Sequence, residues 1–375
     1  MDKPVKVLYF VDRMLRGGIQ TFIIENLKHM DMDKVKVDIL LLDDGNTYEL
    51  EDELRKLGCL VYKLDGIWVK KPWDFIKQAK ALDRFFKEHH DYKVVHLHSS
   101  SKNFMVLKYA KKYGINVRIA HSHCIDFQTN SSLKKLIGDL FKLPLRKYAT
   151  DYFACSKEAG KWLFGEKIVN SDHFEIVHNA VDLEKYKFNE ETRMKIRSEL
   201  NIEKDTIVLG HVGRFVELKN HDFLIDIFYE YNKICKNSKL LLLGTGIKEN
   251  EIKEKVKKLG IEESVIFAGF KNNVNEYMCA MDLFILPSKT EGLGLVLIEA
   301  QASGLKCFTS KDVVPEEAKV SELLEYISLE NGAKEWAEIL LETKLKRVNN
   351  QDSIKEKGYD IIETSRFLQN FYEKE

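Results

Sequence analysis

The feature that most limits what this chain can fold into is a rhythm that occurs twice. Short β-branched or apolar runs alternate with amphipathic segments from the N-terminus onward: VKVLYFV (5–11), VKVDILLL (35–42), CLVYKL (59–64), KVVHLH (93–98), NVRIAHS (116–122), DYFACS (151–156) and FEIVHN (174–179). After the polar stretch NAVDLEKYKFNEETR the rhythm restarts with TIVLGHV (206–212), KLLLLG (239–244), SVIFAGF (264–270), DLFILPS (282–288) and KCFTS (306–310). Between the runs, segments such as TFIIENLKHM and WDFIKQAKALDRFFKEHH repeat apolar residues three and four apart, the period of a helix. Continuous apolar strands separated by helices predict parallel sheets covered on both faces. The double series therefore predicts an α/β protein of two doubly wound, Rossmann-like domains facing each other across a cleft. The expected divisions are 1–185, 186–355 and a closing helix 356–375 with Tyr359, Ile362, Phe367, Leu368 and Tyr372 at helical spacing.

Composition excludes several function classes. Lys+Arg and Asp+Glu both number 59 in 375 residues, and zero net charge argues against a general nucleic-acid binder. The six cysteines contain no CxxC pair, and a chain of this size needs no disulfide framework, so reduced thiols in a cytoplasm are expected. The apolar run at the N-terminus is too short and interrupted for a signal peptide, and no window approaches a membrane span.

In open α/β sheets, ligands bind beyond the carboxyl ends of strands, where loops lead into helix N-termini. Four such junctions carry polar residues or glycines that core packing does not require. The first is VDRMLRGGIQTF, where Gly17 and Gly18 open a helix and allow close backbone approach. The second is GHVGRFVELKNHDFLI, where Gly213, Arg214 and Lys219 set an Arg fork and a Lys point charge beside a glycine turn, a pattern suited to a diphosphate. The third is Gly244-Thr245-Gly246; Glu249 stands where a dinucleotide fingerprint needs its third glycine, so a tight turn is the better reading. The fourth is PSKTEGLGLVLIEAQASG, with Glu291 at the turn and Glu299 about two helical turns further on. Carboxylates accept hydrogen bonds from vicinal hydroxyls, which suits a sugar and a ribose.

Together these segments resemble the retaining glycosyltransferases of family 4, which have the two-domain GT-B fold. The E-x7-E after a PS..EG turn and the upstream G-R-x4-K carry the resemblance. AHSH with His121, FACSK with Ser156, HNAVDLEKY and AGFKNNVNEYMCAMDLFILPS extend it over nearly the whole chain. The style is that of bacterial exopolysaccharide and capsule enzymes. Ala180 and Lys306 depart from the pattern, where Gly and Pro are common, and bear on subgroup more than on function. The resemblance implies that Arg214 and Lys219 hold the diphosphate of a nucleotide sugar. It places Glu291 near the transferred sugar and Glu299 on the ribose, with the amides around Gly292, Leu293, Gly294 and Leu295 by the sugar and phosphates. It also implies Gly213 and Gly18 beside the phosphates, His121 against a sugar, and Phe270 to Val274 lining the base pocket, usually for uracil. In this fold the last helix generally crosses back to the N-terminal domain.

The implied reaction moves a hexose from a UDP-sugar to a saccharide acceptor, lipid-linked in this style of enzyme, with retained anomeric configuration. No side chain is assigned as a covalent nucleophile, so front-face substitution is expected, with side-chain cations in place of a metal. No cofactor is expected beyond the donor. The single DxD, Asp31-Met32-Asp33, reads as a loop. His96 and His98, like His121 and His123, are read as alternating at strand ends and so set on opposite faces, which disfavours zinc. The segment SLKKLIGDLFKLPLRKYA (132–149) interleaves Lys134, Lys135, Lys142, Arg146 and Lys147 with leucines. It reads either as a membrane-surface helix that would make a cytoplasmic protein peripheral, or as core packing. The alternatives to a transferase are a UDP-sugar epimerase of the same fold and a non-catalytic nucleotide-binding accessory subunit.

Overall fold

A computed structural model describes residues 3–15, 17–64, 74–124 and 131–374. Its chain forms two compact units, Met1–Ala180 with Ile361–Glu375, and Val181–Asp360. The first holds a parallel sheet of β1 (Val5–Val11), β2 (Val35–Leu42), β3 (Val61–Leu64), β4 (Val94–His98), β5 (Val117–Ser122), β6 (Asp151–Ala154) and β7 (Phe174–Ile176). Its order is β3-β2-β1-β4-β5-β6-β7. The second holds β8 (Ile207–Val212), β9 (Ser238–Leu243), β10 (Val265–Gly269), β11 (Leu283–Leu286), β12 (Lys306–Ser310) and β13 (Leu324–Ile327), in the order β10-β9-β8-β11-β12-β13. Both sheets are doubly wound, and each reverses its strand order at one place: β1 beside β4, and β8 beside β11.

The continuous apolar runs follow from burial on both faces. Val7, Tyr9 and Val11 of β1 enter one core cluster, and Leu8 and Phe10 enter another. In β9, Leu241 and Leu243 face one way, Leu240 and Leu242 the other. Successive strand residues point to opposite faces, so a strand covered twice has no polar side to show. The edge strand β13 has no counterpart among the sequence-read strands. It is four residues long, with Glu325 exposed, too short and mixed for the pattern to register.

The last helix, Ile361–Lys374, packs within the first unit, where Leu368 and Tyr372 join the cluster of Val7, Tyr9 and Leu27. Its buried side is Ile361, Leu368 and Tyr372, whereas Ile362 and Phe367 are exposed. Tyr359 precedes the helix and belongs to the second unit's core. The stripe read from sequence is thus rotated, because the helix begins two residues after Tyr359.

The helix Ser132–Tyr148 docks by only part of its surface. Leu145 is buried, Ser101 Oγ donates to Gly138 O (2.8 Å), and Arg146 donates to Leu163 O (3.0 Å). Leu133, Leu136, Ile137, Leu140 and Leu143 remain exposed. Core packing is therefore excluded for five of the apolar side chains on this helix. The side chain of Lys134 lies outside the described residues.

Candidate functional site

In the second unit the loops after β8 and β11 meet where the strand order reverses, and they bring two of the sequence-read residues together. Lys219 Nζ donates to Glu291 Oε1 at 2.5 Å, and Ser288 Oγ donates to the same oxygen at 2.6 Å. Lys219 ends a one-turn 3-10 helix, Glu217–Lys219. Asn220 then turns left-handed (φ 56°), which asparagine tolerates better than most residues, and starts the helix His221–Ile234. Lys289 N donates to Leu218 O (2.8 Å), and Glu217 pairs with both Lys248 and Lys289, so the two loops are stitched side by side. Those two ammonium groups hold the Glu217 carboxyl well below its usual value, at about 2.

Small residues let this crevice form. A Cβ at Gly213 would stand 3.4 Å from the Lys219 Cγ and Cδ, so the lysine stem crosses that glycine. Gly244 takes φ +129°, and a Cβ there would lie 2.1 Å from Gly213 O; one at Gly246 would lie 2.4 Å from Phe215 O. The Gly244-Thr245-Gly246 turn therefore serves close approach of two backbones, which the sequence, read only as a tight turn, did not reveal.

Arg214 is exposed in the same loop, and its side chain makes no ion pair or hydrogen bond among the described residues. Gly294 (φ +72°) caps the helix Leu295–Ala302, leaving its first amides toward the loop. Gly292 is exposed, and Leu293 and Leu295 pack against the core's edge. Glu299 stands half-buried in the second turn of that helix. Phe270 is exposed just beyond β10, and Val274 opens the helix Val274–Ala280 while packing on the core.

Sequence reading missed Ser288 as a partner of Glu291, although it stands three residues before it in the loop after β11. Asp282, the first residue of the run DLFILPS, is a structural anchor. Arg193 and Arg197 donate to its two oxygens at 2.6 and 2.7 Å.

In the first unit Gly18 begins the helix Gly18–His29, and open space lies where its Cβ would be. At that sheet's reversal point Asp12 Oδ1 accepts from Ser99 Oγ (2.5 Å) and Asn103 Nδ2 (2.6 Å). This cluster was not singled out in the sequence, yet Asp12 and Ser99 directly follow β1 and β4 and Asn103 ends the short 3-10 helix Ser101–Asn103 after β4, where the strand-end rule looks. Ser156 caps the helix Lys157–Phe164 by accepting from Ala159 N, a local structural role. Asp31 and Asp33 lie in a turn closed by Asp33 N donating to Asp31 Oδ1 (3.0 Å).

The histidine reading needs correction. Residues two apart on a strand share a face, and the structure gathers His96, His98, His121 and His123 into one block. Ring centroids are 4.0 Å apart within each pair, and 5.2 Å from His96 to His121. His96 Nε2 and His121 Nδ1 are 3.1 Å apart, His98 Nδ1 and His123 Nε2 3.0 Å. Nitrogens of His96, His98 and His121 lie within 4.8 Å of one another, close enough to share a cation. Burial pushes His96, His98 and His121 well below the usual imidazole value, helped by their imidazole neighbours, and pushes His123 down to about 3. Three of this block's ring nitrogens, His98 Nε2, His121 Nε2 and His123 Nδ1, are buried without a partner among the described residues.

Residues 16–185 match Glycosyltransferase Family 4, and residues 192–360 match glycosyl transferases group 1. A Bacillus subtilis protein named as glycosyltransferase EpsF is 29% identical, over 98% of this chain and 96% of that one. An Escherichia coli UDP-Gal:alpha-D-GlcNAc-diphosphoundecaprenol alpha-1,3-galactosyltransferase is 23% identical over 82% of this chain and 79% of its own. Among solved structures, Anabaena HepE in complex with UDP and glucose superposes with a TM-score of 0.74 at 18% identity, covering 99% of this chain and 100% of that one. That likeness gives the fold, GT-B.

Proposed function

Because this chain belongs to the family 4 glycosyltransferases, we propose that it transfers a hexose from a UDP-sugar to a lipid-linked saccharide, with retention, in surface-polysaccharide assembly. The observation that carries this reading is the Lys219–Glu291 pair at the strand-order reversal of the second unit, with the Arg214 side chain, unpaired among the described residues, in the loop of Lys219. Arg214 and Lys219 bind the donor diphosphate, whose arrival replaces the carboxylate as partner of the lysine. Glu291 is then released to the sugar hydroxyls, and Glu299 takes the ribose. The amides before Leu295 meet phosphate at a positive helix end. Gly18 likewise lies by phosphate, and Phe270 to Val274 meet the base. His121 contacts a sugar.

In the step itself, the bond from the anomeric carbon to the diphosphate oxygen breaks while the acceptor hydroxyl oxygen bonds that carbon on the same face. The hydroxyl proton passes to the departing diphosphate. Charge growing on that group is stabilised by the arginine, the lysine and the helix end, so the step needs no metal. The lipid-linked acceptor is supported by the E. coli relative, whose name carries a diphosphoundecaprenol.

The exposed face of Ser132–Tyr148 serves that acceptor. Its aliphatic side chains recur three and four apart, and Lys135 and Lys147 flank them. Lys108 and Lys111 stand exposed on the neighbouring helix, Phe104–Lys112, beside Tyr148. Lys142 and Arg146 are turned inward, onto Trp162 and Leu163 O, so the basic contribution comes from fewer cations than the sequence offered. An apolar stripe rimmed by lysines fits an anionic bilayer surface.

Calorimetric titration of UDP in EDTA tests the donor site. Binding is expected, weakened in Lys219→Ala and Glu299→Ala; a folded wild type that ignores UDP would remove the UDP-sugar reading. Product analysis with a lipid-linked acceptor then separates transfer from epimerisation or a non-catalytic role.

A further inference from the structure

One strand of hydrogen bonds runs from the middle of the first unit's sheet to His121. Tyr9 Oη and Tyr372 Oη are 2.7 Å apart, Tyr372 Oη and His96 Nδ1 2.7 Å, and His96 Nε2 and His121 Nδ1 3.1 Å. Tyr9, His96 and Tyr372 are fully buried, and His121 nearly so. Each link holds one proton, and a neutral imidazole donates from one nitrogen while accepting at the other. The chain therefore has two polarities.

If it runs inward, His121 donates to His96, His96 to Tyr372, and Tyr372 to Tyr9. The Tyr9 hydroxyl proton then has no acceptor among the described residues, where Tyr372 is its only hydrogen-bond partner. That stranded donor sits at the centre of β1, where no ligand reaches, and His121 Nε2 is left as an unmet lone pair. If the chain runs outward, Tyr9 donates to Tyr372, Tyr372 to His96 Nδ1, and His96 Nε2–H to His121 Nδ1. The one unmet proton is then on His121 Nε2, which has no partner among the described residues and lies near the carboxyl end of β5. A buried unmet donor is costly, and the outward polarity moves it from the middle of β1 to the carboxyl end of β5, the end of the sheet at which open α/β folds receive ligands. Phe22, T-shaped against His121 at 5.1 Å, and the stacked His123 hold the ring in that orientation.

We propose that Tyr9, Tyr372 and His96 are positioning residues whose relay fixes His121 as the Nε2–H tautomer, a hydrogen-bond donor for an acceptor oxygen of a bound saccharide. The saccharide rests on the transferase reading; the tautomer does not. An acceptor-only atom, such as a ring or bridging oxygen, suits this donor, and a ligand offering only N–H groups does not.

Histidine-selective ¹⁵N labelling of the full chain, read through long-range ¹H–¹⁵N couplings, reports the tautomer directly. His121 is expected to show a protonated Nε2 and a bare Nδ1; the reverse assignment, or an even mixture, overturns the relay. Two substitutions at the middle link separate positioning from packing. His96→Gln keeps the polarity, because its amide oxygen accepts from Tyr372 and its amide N–H donates to His121. His96→Phe keeps the bulk and loses both bonds. The glutamine variant is expected to retain the tautomer and most of kcat. The phenylalanine variant is expected to lose the tautomer preference and about tenfold in kcat, with unchanged UDP affinity. Equal behaviour of the two variants would reduce His96 to packing and sink the proposal. Should the tautomer stand while no transfer is found, the transferase reading fails and the relay survives.

Discussion

Lys219 and Glu291 are 72 positions apart in sequence yet share one short hydrogen bond. Each was legible because it stands in a loop beyond a strand, where charge has no packing reason. Their contact was not, because it depends on β8 and β11 being neighbours across the reversal of strand order. Lys219→Ala is expected to cut transfer on the order of 10²–10³-fold, since a charge-stabilising group is lost. The thermal midpoint should barely move, because Ser288 still holds Glu291 and the pair is partly solvated. Activity assays beside thermal scans check both halves, and unchanged turnover would take the lysine out of the mechanism. The buried histidines make the fold acid-sensitive. Unfolded imidazoles protonate near pH ~6.5, while burial keeps His96, His98 and His121 neutral well below that, His123 to about 3 and His221 to about 4. Below pH ~6.5 the unfolded chain thus binds more protons. Stability is full above that pH and falls as pH drops, by up to ~1.4 kcal/mol per unit for each such histidine. Urea midpoints are expected to fall steeply from pH ~7 to ~5; a flat profile would mean that these rings are already charged or hydrated in the fold.

The element scale was the most legible. Strands buried on both faces announce themselves as unbroken apolar runs, and the first eight residues of the second series, TIVLGHVG, lead straight into the lysine loop. What periodicity cannot give is which side of an amphipathic helix is covered. For Ser132–Tyr148 the pattern fitted burial and a membrane face equally, and only the docking through Gly138 and Leu145 shows that Leu136 and Leu140 point outward. If that face meets lipid, Leu136→Glu with Leu140→Glu should abolish binding to anionic liposomes, which wild type should show at low salt and less at high salt. Both side chains are exposed, so stability should change little. Leu145→Ala is the contrast: a buried leucine whose loss costs about 2–5 kcal/mol. Absence of wild-type binding at low salt would leave the stripe without a lipid role. The histidine block marks the same boundary from the other side. Positions 96, 98, 121 and 123 were on the page, but their clustering required β4 to pair β5 in the right register.

At the scale of the whole molecule, the chain completes its first unit with its last segment. The twofold strand rhythm made two units legible, and the terminal helix was legible as amphipathic. Its buried side was not, because Tyr359, two residues before its start, belongs to the other core. Ile361–Lys374 contributes Ile361, Leu368 and Tyr372 to the first unit's interior, and Tyr372 is also the middle of the path from Tyr9 to His96. Burying one such side chain is worth about 1.5–3 kcal/mol. Removing three at once takes away an amount comparable with a domain's whole stability, about 5–15 kcal/mol. A chain ending at Asp360 should therefore show its damage selectively. Lys219, Glu291, Arg214 and the helix Leu295–Ala302 all lie in Val181–Asp360, whose core has no residue from the deleted segment. Calorimetric scanning is expected to lose or greatly lower the transition of the first unit, while UDP titration still reports a site. Transfer should vanish, since His121 loses both its sheet's support and its hydrogen-bond relay. If UDP binding disappeared together with the first unit's transition, the nucleotide site would need more than the second unit holds, and its assignment to the crevice between β8 and β11 would fall.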